Sequence, residues 1–320
     1  MLPTVLLFLL GLGLLVKGAD VLVDGASSLA RRLGVSALVI GLTIVAFGTS
    51  APELVVNLVA SLNGNTDISI GNILGSNIVN VLFILGLSAV IYPLGVKTGT
   101  VWREIPLSFL AALLVAILAN DALIDGGSAS LLTRIDGLVL ISFFTIFIYY
   151  CFIVARAEPA DDKTIVPRTH SLPRSLIMIL GGLAGLVLGG RWVVSGAVEF
   201  AVALGLSEAL VGLIIVAVGT SLPELFTSAV AAYKKDTDIA VGNVVGSNIF
   251  NIFFVLGTSA VIYPLPFSSR FMTDALVMLA ASLLVFMFMF VGKKHMLERW
   301  QGAAFMLLYV AYVVYTIGRG

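Results

Sequence analysis

The sequence predicts an all-α polytopic membrane protein of ten transmembrane helices, arranged as two inverted five-helix repeats. Three observations lead there. Of 320 residues, 59% are hydrophobic and only 11% charged, against roughly 25% charged in soluble domains, too little polar surface to cover a soluble fold. The apolar residues gather into ten runs, most of them near the ~20 residues a helix needs to cross the bilayer. A long block of chain also recurs, carrying Glu53 onto Glu224, 171 positions on.

The runs lie at 3–30, 36–62, 67–91, 102–119, 134–154, 173–202, 207–232, 238–263, 272–291 and 300–317, here spans 1 to 10. Spans 1 and 6 exceed the length a bilayer requires and are expected to tilt. The N-terminus is apolar from Val5, with no basic leader or small-residue cleavage site. It reads as the first span rather than a signal peptide.

Segments following odd-numbered spans carry Arg31, Arg32, Lys97, Arg103, Arg156, Lys163, Arg168, Arg174, Lys234, Lys235, Lys293, Lys294 and Arg299. The other side carries only Arg134, Arg270 and Arg319. That bias puts the odd-numbered exits in the cytoplasm and both termini outside the cell membrane. The polar linker 155–172 separates a first repeat, 1–154, from a second, 173–320. Zero net charge leaves no basic face for nucleic acid. The single Cys151 cannot form an internal disulfide, and no obligatory protein partner is evident.

At the fixed shift, residues 41–94 match 212–265 at 33 of 54 positions, and Ser88–Leu94 recurs intact as Ser259–Leu265. Five spans per copy is odd, so the second copy enters from the opposite face, an architecture frequent in secondary transporters. Duplication kept for packing alone is the plainer alternative. Against it, the best-matched residues are polar.

The first conserved-in-register phrase is Gly48-Thr49-Ser50-Ala51-Pro52-Glu53, repeated as Gly219-Thr220-Ser221-Leu222-Pro223-Glu224. A carboxylate at mid-membrane is costly and is expected to face a cavity, a partner or an ion. No Lys or Arg lies inside spans 2, 3, 7 or 8 to neutralise it. Pro52 and Pro223 lack an N–H, which frees the carbonyl four residues back. With the hydroxyls of Thr49, Ser50, Thr220 and Ser221, the set is all oxygen, which suits Ca²⁺ or Na⁺. Absence of His and Cys from this set argues against zinc or copper.

The second phrase runs from Gly71 to Asn80 and recurs from Gly242 to Asn251. Ser76 and Asn80, like Ser247 and Asn251, are four apart and share a helix face, so they join the candidate ligands. The glycines, Asn77 and Asn248 read as a small-residue packing seam.

These paired motifs in a ten-span inverted repeat resemble the sodium/calcium exchanger family of the calcium/cation antiporter superfamily, in its prokaryotic branch. The resemblance covers nearly the whole chain, including Arg299-Trp300-Gln301-Gly302. It implies Na⁺/Ca²⁺ exchange by alternating access, no enzymatic activity and no cofactor beyond the transported ions. The two alpha-repeat motifs then span 46–80 and 217–251. Implied ligands are Ala46 (carbonyl), Thr49, Ser50, Glu53, Ser76 and Asn80, with Ala217, Thr220, Ser221, Glu224, Ser247 and Asn251. Some prokaryotic relatives carry Asp where this chain has Asn251, so only two carboxylates remain here; the 3:1 stoichiometry that the resemblance implies would leave three Na⁺ with one uncompensated charge. Proton-coupled relatives place an acid where Gly75 and Gly246 stand, which favours Na⁺. Exchange with H⁺ or with added K⁺ remains the alternative. A passive channel would lack coupling, and an intramembrane hydrolase at Ser50 or Ser221 would lack a nearby base.

Lys17, Asp20 and Asp24 are expected to pair near the cytoplasmic end of span 1, with Arg191 and Glu199 as the counterpart in span 6. His170 and His295 are expected to be solvated. Glycines in spans 1 and 6 suggest close packing and sliding of this pair against the core.

Overall fold

A computed structural model describes residues 2–124, 126, 130–157, 170–203 and 217–319. Most of the linker, and residues 207–216 of span 7, lie outside the described residues. Among those described, eight single helices are long and apolar enough to cross a membrane. A ninth crossing is built from Ala37–Thr49 and Ala51–Leu62, bent by 45°. Ala217–Thr220 and Leu222–Tyr233 show the same break in the described part of span 7. The chain is therefore a mostly helical, multi-span membrane protein.

Burial sorts the helices. In spans 3 and 8, Thr66–Ile91 and Thr237–Ile262, 78% and 94% of the most apolar stretch is buried. In span 10, Arg299–Arg319, the share is 17%. Spans 3 and 8 form the centre, and the peripheral helices give lipid their apolar faces. Glycine sets the closest approaches. A Cβ on Gly242 would fall 2.9 Å from the Leu38 carbonyl oxygen of span 2, and one on Gly86 2.9 Å from that of Gly302 in span 10.

Spans 1 and 6, Leu2–Leu33 and Leu172–Ala203, run antiparallel along a glycine seam. A Cβ on Gly18 would lie 2.9 Å from the Gly182 carbonyl oxygen, and one on Gly11 2.9 Å from that of Gly189. The contact is reciprocal, because Gly182 and Gly189 stand 171 positions after Gly11 and Gly18. The expected packing of this pair is therefore present.

The all-α expectation misses four two-residue strands: β1, Leu94–Gly95; β2, Leu131–Leu132; β3, Leu265–Pro266; and β4, Met296–Leu297. β1 pairs antiparallel with β4 and β2 with β3. Each pair ties together loops from different halves of the chain.

Expectations about charged and titratable groups hold in part. Asp20 pairs with Lys17 at 3.1 Å, but Lys234, beyond span 7, lies 2.7 Å from both Asp20 and Asp24. The aspartates thus bind span 1 to the core as well as to their own helix. Glu199 accepts a hydrogen bond from the Thr4 hydroxyl at 2.5 Å. His295 is only partly solvated: its Nδ1 is 3.2 Å from Thr98 Oγ1, its ring packs edge-on against Phe290, and Nε2 is buried. His170 is half-buried, its amide donating to Ser28 Oγ at 2.8 Å.

Candidate functional site

The site begins at two helix breaks. Ser50 has φ −82° and ψ 7°, and Ser221 has φ −87° and ψ 6°. Both leave the helical region at the same point in their repeats. The new helices start at Ala51 and Leu222, so Pro52 and Pro223 fall in the first turn, where no intrahelical N–H is required. Glu53 and Glu224 follow at once, beside the exposed amides and positive dipole end of a helix N-terminus. The preceding segments end there with their carbonyls, the pole that suits a cation.

The breaks face each other across the protein. Ser50 Oγ donates to Glu224 Oε1 at 2.7 Å, and Ser221 Oγ donates to Glu53 Oε1 at 3.2 Å. Each glutamate is thus held through one oxygen by the other half's serine. Its second oxygen, Oε2, is buried and has no hydrogen-bond partner in either residue. Ser247 Oγ approaches Glu224 Oε1 at 3.4 Å.

Spans 3 and 8 supply the remaining groups. Asn80 and Asn251 stand near the start of π-helical turns, Val79–Leu85 and Phe250–Leu256. Such insertions recur at functional sites because they rotate the side chains that follow. Asn80 Nδ2 donates to Asn248 Oδ1 at 3.0 Å, and Asn251 Nδ2 donates to Ser76 Oγ at 3.2 Å. The Oδ1 atoms of Asn80 and Asn251 are buried without partners. Buried acceptors are nearly always satisfied, so four orphan oxygens among the implied ligands are an unusual concentration. Two carboxylate and two amide oxygens call for a hard cation rather than a transition metal. Among the described residues, no group of three His, Cys, Asp or Glu gathers as a metal site.

The other expected ligands fall as follows. Thr49, Ser50, Glu53, Ser76, Asn80, Ser221, Glu224, Ser247 and Asn251 are all buried, and Thr220 is partly so. The Ala46 carbonyl accepts from the Ser50 amide at 3.0 Å and lies 3.2 Å from Thr49 Oγ1. The carbonyl that Pro52 cannot reach is that of Gly48, four residues back; the Ala46 oxygen, already bonded, keeps its second lone pair for an ion. Ala217 opens the short helix Ala217–Thr220, and its side chain lies outside the described residues.

Spacing alone did not indicate the bracing groups Asn57 and Ser228. Asn57 Oδ1 accepts from Asn72 Nδ2 at 2.6 Å, and Ser228 Oγ accepts from Asn243 Nδ2 at 2.9 Å. Asn57 and Ser228 stand at equivalent positions but differ in type, so the repeat pattern hid them.

A model of the family described as "Sodium/calcium exchanger protein" matches residues 3–153 and 174–318. The sodium/calcium exchanger MaX1 of Methanosarcina acetivorans is 35% identical over 342 aligned positions, covering 97% of both chains. Inner membrane protein YrbG of Escherichia coli (strain K12) is 40% identical over 274 positions, covering 82% of this chain and 81% of that protein. A solved structure of the sodium-calcium exchanger NCX_Mj, soaked with 2.5 mM Na⁺ and 0.1 mM Ca²⁺, aligns at TM-score 0.83 and 35% identity over 98% of each chain. The chain belongs to the sodium/calcium exchanger protein family.

Proposed function

We propose that the protein is a secondary active antiporter that exchanges Na⁺ for Ca²⁺ across the cell membrane by alternating access. The observation that carries this reading is the reciprocal pair Ser50–Glu224 and Ser221–Glu53 with the orphan Oε2 atoms. Two carboxylates balance one Ca²⁺, and Na⁺ competes for the same two charges. Occupancy by either ion offsets the anionic site and permits the switch. An empty, doubly charged site is costly to carry through a low-dielectric barrier, and that cost couples the two fluxes.

The ten-span, inverted-repeat arrangement belongs to this proposal. Reciprocal contacts between positions 171 apart support it, Gly11–Gly189 with Gly18–Gly182, and so do the paired ribbons β1–β4 and β2–β3, in which β1 and β3 are 171 apart and β2 and β4 are 165 apart. So does the equivalence of the helix breaks at Ser50 and Ser221. Residues 1–154 and 173–320 form the two repeats, 155–172 is the cytoplasmic linker, and both termini lie outside. The implied ligands, from Ala46 to Asn80 and from Ala217 to Asn251, line one shared site. Spans 1 and 6 slide as a pair past the core.

The test is ⁴⁵Ca²⁺ uptake into proteoliposomes loaded with Na⁺, K⁺, neither, or a proton gradient. Uptake is expected with internal Na⁺ alone. Uptake driven equally by a proton gradient, or indifferent to every counter-ion, overturns the coupling proposed here.

A further inference from the structure

We propose that Asn72 and Asn243 are positioning residues that aim the hydroxyl oxygens of Thr220 and Thr49 at the transported cation. This rests on the exchange reading above and adds residues that the motif ligands do not include. A hydroxyl has one proton, and it binds a cation only if that proton is sent elsewhere. Thr49 is fully buried, so bulk water cannot take the proton. The nearest acceptor is Asn243 Oδ1 at 3.0 Å. The rivals are the Ala46 carbonyl at 3.2 Å, which already receives the Ser50 amide, Ser247 Oγ at 3.5 Å, and the Glu224 carboxylate, which Thr49 also approaches.

Asn243 is fixed for this role from behind. Its Nδ2 donates to Ser228 Oγ at 2.9 Å and to the main-chain oxygen of Glu224 at 3.3 Å. With the amide nitrogen so engaged, the amide oxygen faces Thr49. The arrangement recurs in the other half. Thr220 Oγ1 donates to Asn72 Oδ1 at 3.3 Å, and Asn72 Nδ2 reaches Asn57 Oδ1 at 2.6 Å and the Glu53 main-chain oxygen at 3.5 Å. Each asparagine therefore holds the backbone of its own half's glutamate and the hydroxyl of the other half's threonine.

Hydrogen-bond satisfaction separates the two kinds of asparagine. Asn80 and Asn251 keep a buried Oδ1 without a partner, as an ion ligand should. The Oδ1 atoms of Asn72 and Asn243 are both taken by threonine hydroxyls. The second pair therefore orients ligands rather than serving as ligands itself.

The test measures what Thr49→Ala costs in three backgrounds: wild type, Asn243→Asp and Asn243→Ala. The readout is the half-saturating Ca²⁺ concentration for Na⁺-dependent uptake by reconstituted protein. In wild type, Thr49→Ala is expected to raise it about tenfold, the loss of one charge-assisted oxygen contact. Asp keeps the shape and an acceptor oxygen opposite Thr49; it loses the Nδ2 donor, but the Ser228 hydroxyl can donate to the oxygen that replaces it, so the tenfold cost persists there whatever the added charge does to the baseline. Ala removes the acceptor, so Thr49→Ala costs nothing further. An equal cost in all three backgrounds overturns the proposal and gives the proton to another neighbour, the Ala46 carbonyl, Ser247 or Glu224. If Asn243→Ala does not elute as a monodisperse species, the Thr220→Ala and Asn72 series applies the same criterion. Absence of Na⁺-dependent uptake in wild type refutes the exchange reading instead, so the two failures are distinguishable.

Discussion

Alanine in place of Gly182 tests the packing of the two long helices. The Cβ it adds would lie 2.7 Å from the Gly18 carbonyl oxygen and 2.8 Å from the Leu22 amide nitrogen. Both are backbone atoms, so no rotamer change relieves the clash and the helices must separate. Gly181, one residue earlier on the same helix, has nothing within 4 Å of the equivalent position. Each substitution gains about 0.8–1.0 kcal/mol of helix propensity, and that gain cancels between them. What remains is overpacking at Gly182, about 1–3 kcal/mol. At about 2 °C per kcal/mol for a chain of this size, Gly182→Ala should melt roughly 2–6 °C below Gly181→Ala. Thermal denaturation of both purified variants, followed by fluorescence-detected size exclusion, reads the difference directly. Melting temperatures within about 1 °C of each other would refute the seam as a close contact.

Two further outcomes follow from named contacts. Asp236 sits between the helices Leu222–Tyr233 and Thr237–Ile249; burial holds its carboxyl above the usual range, opposed by hydrogen bonds from Ser27 Oγ at 2.6 Å and the Ile239 amide. A raised folded-state pKa gives stability that is complete below the unfolded pKa of about 4 and lost as pH rises through the folded value. Asp236→Asn, which keeps an N-cap side chain, should remove that loss, so parallel melting-versus-pH curves for mutant and wild type would count against it. Cysteines at Asp24 and Lys234, with Cys151 replaced by Ser, place a reactive thiol on each side of the ion pair between span 1 and the core. A short cleavable cross-link there should stop exchange and its reduction should restore it; undiminished exchange in the linked protein would exclude relative movement of span 1.

The crossings were legible because bilayer burial writes itself as long apolar runs, and the duplication because 33 of 54 residues repeat in register. Glu53 and Glu224 stood out because a carboxylate inside such a run has few ordinary explanations. Pro52 signalled a break, but the backbone leaves the helix at Ser50, two residues earlier, because a proline is accommodated in the first turn of the next helix. The π turns at Val79–Leu85 and Phe250–Leu256 depend on the register of backbone hydrogen bonds, which side-chain spacing does not encode. Partners separated by some 200 residues were not legible either. Lys234 read as an ordinary loop cation, and only the fold brings it against Asp20 and Asp24. His295 read as a solvated loop residue until the β1–β4 pairing set it beside Thr98 and Phe290. The cross-braces through Asn72 and Asn243 were hidden for the same reason, since each joins three separate helices.

The most direct test of the account is ⁴⁵Ca²⁺ uptake by Na⁺-loaded proteoliposomes containing wild type, Glu53→Gln or Glu224→Gln. Glutamine keeps the size of the side chain and removes the charge for which Na⁺ and Ca²⁺ are held to compete. Wild type should take up Ca²⁺ in proportion to the outward Na⁺ gradient, and each variant should fall to the level of empty liposomes while eluting as folded protein. Wild-type exchange in either variant would contradict the account.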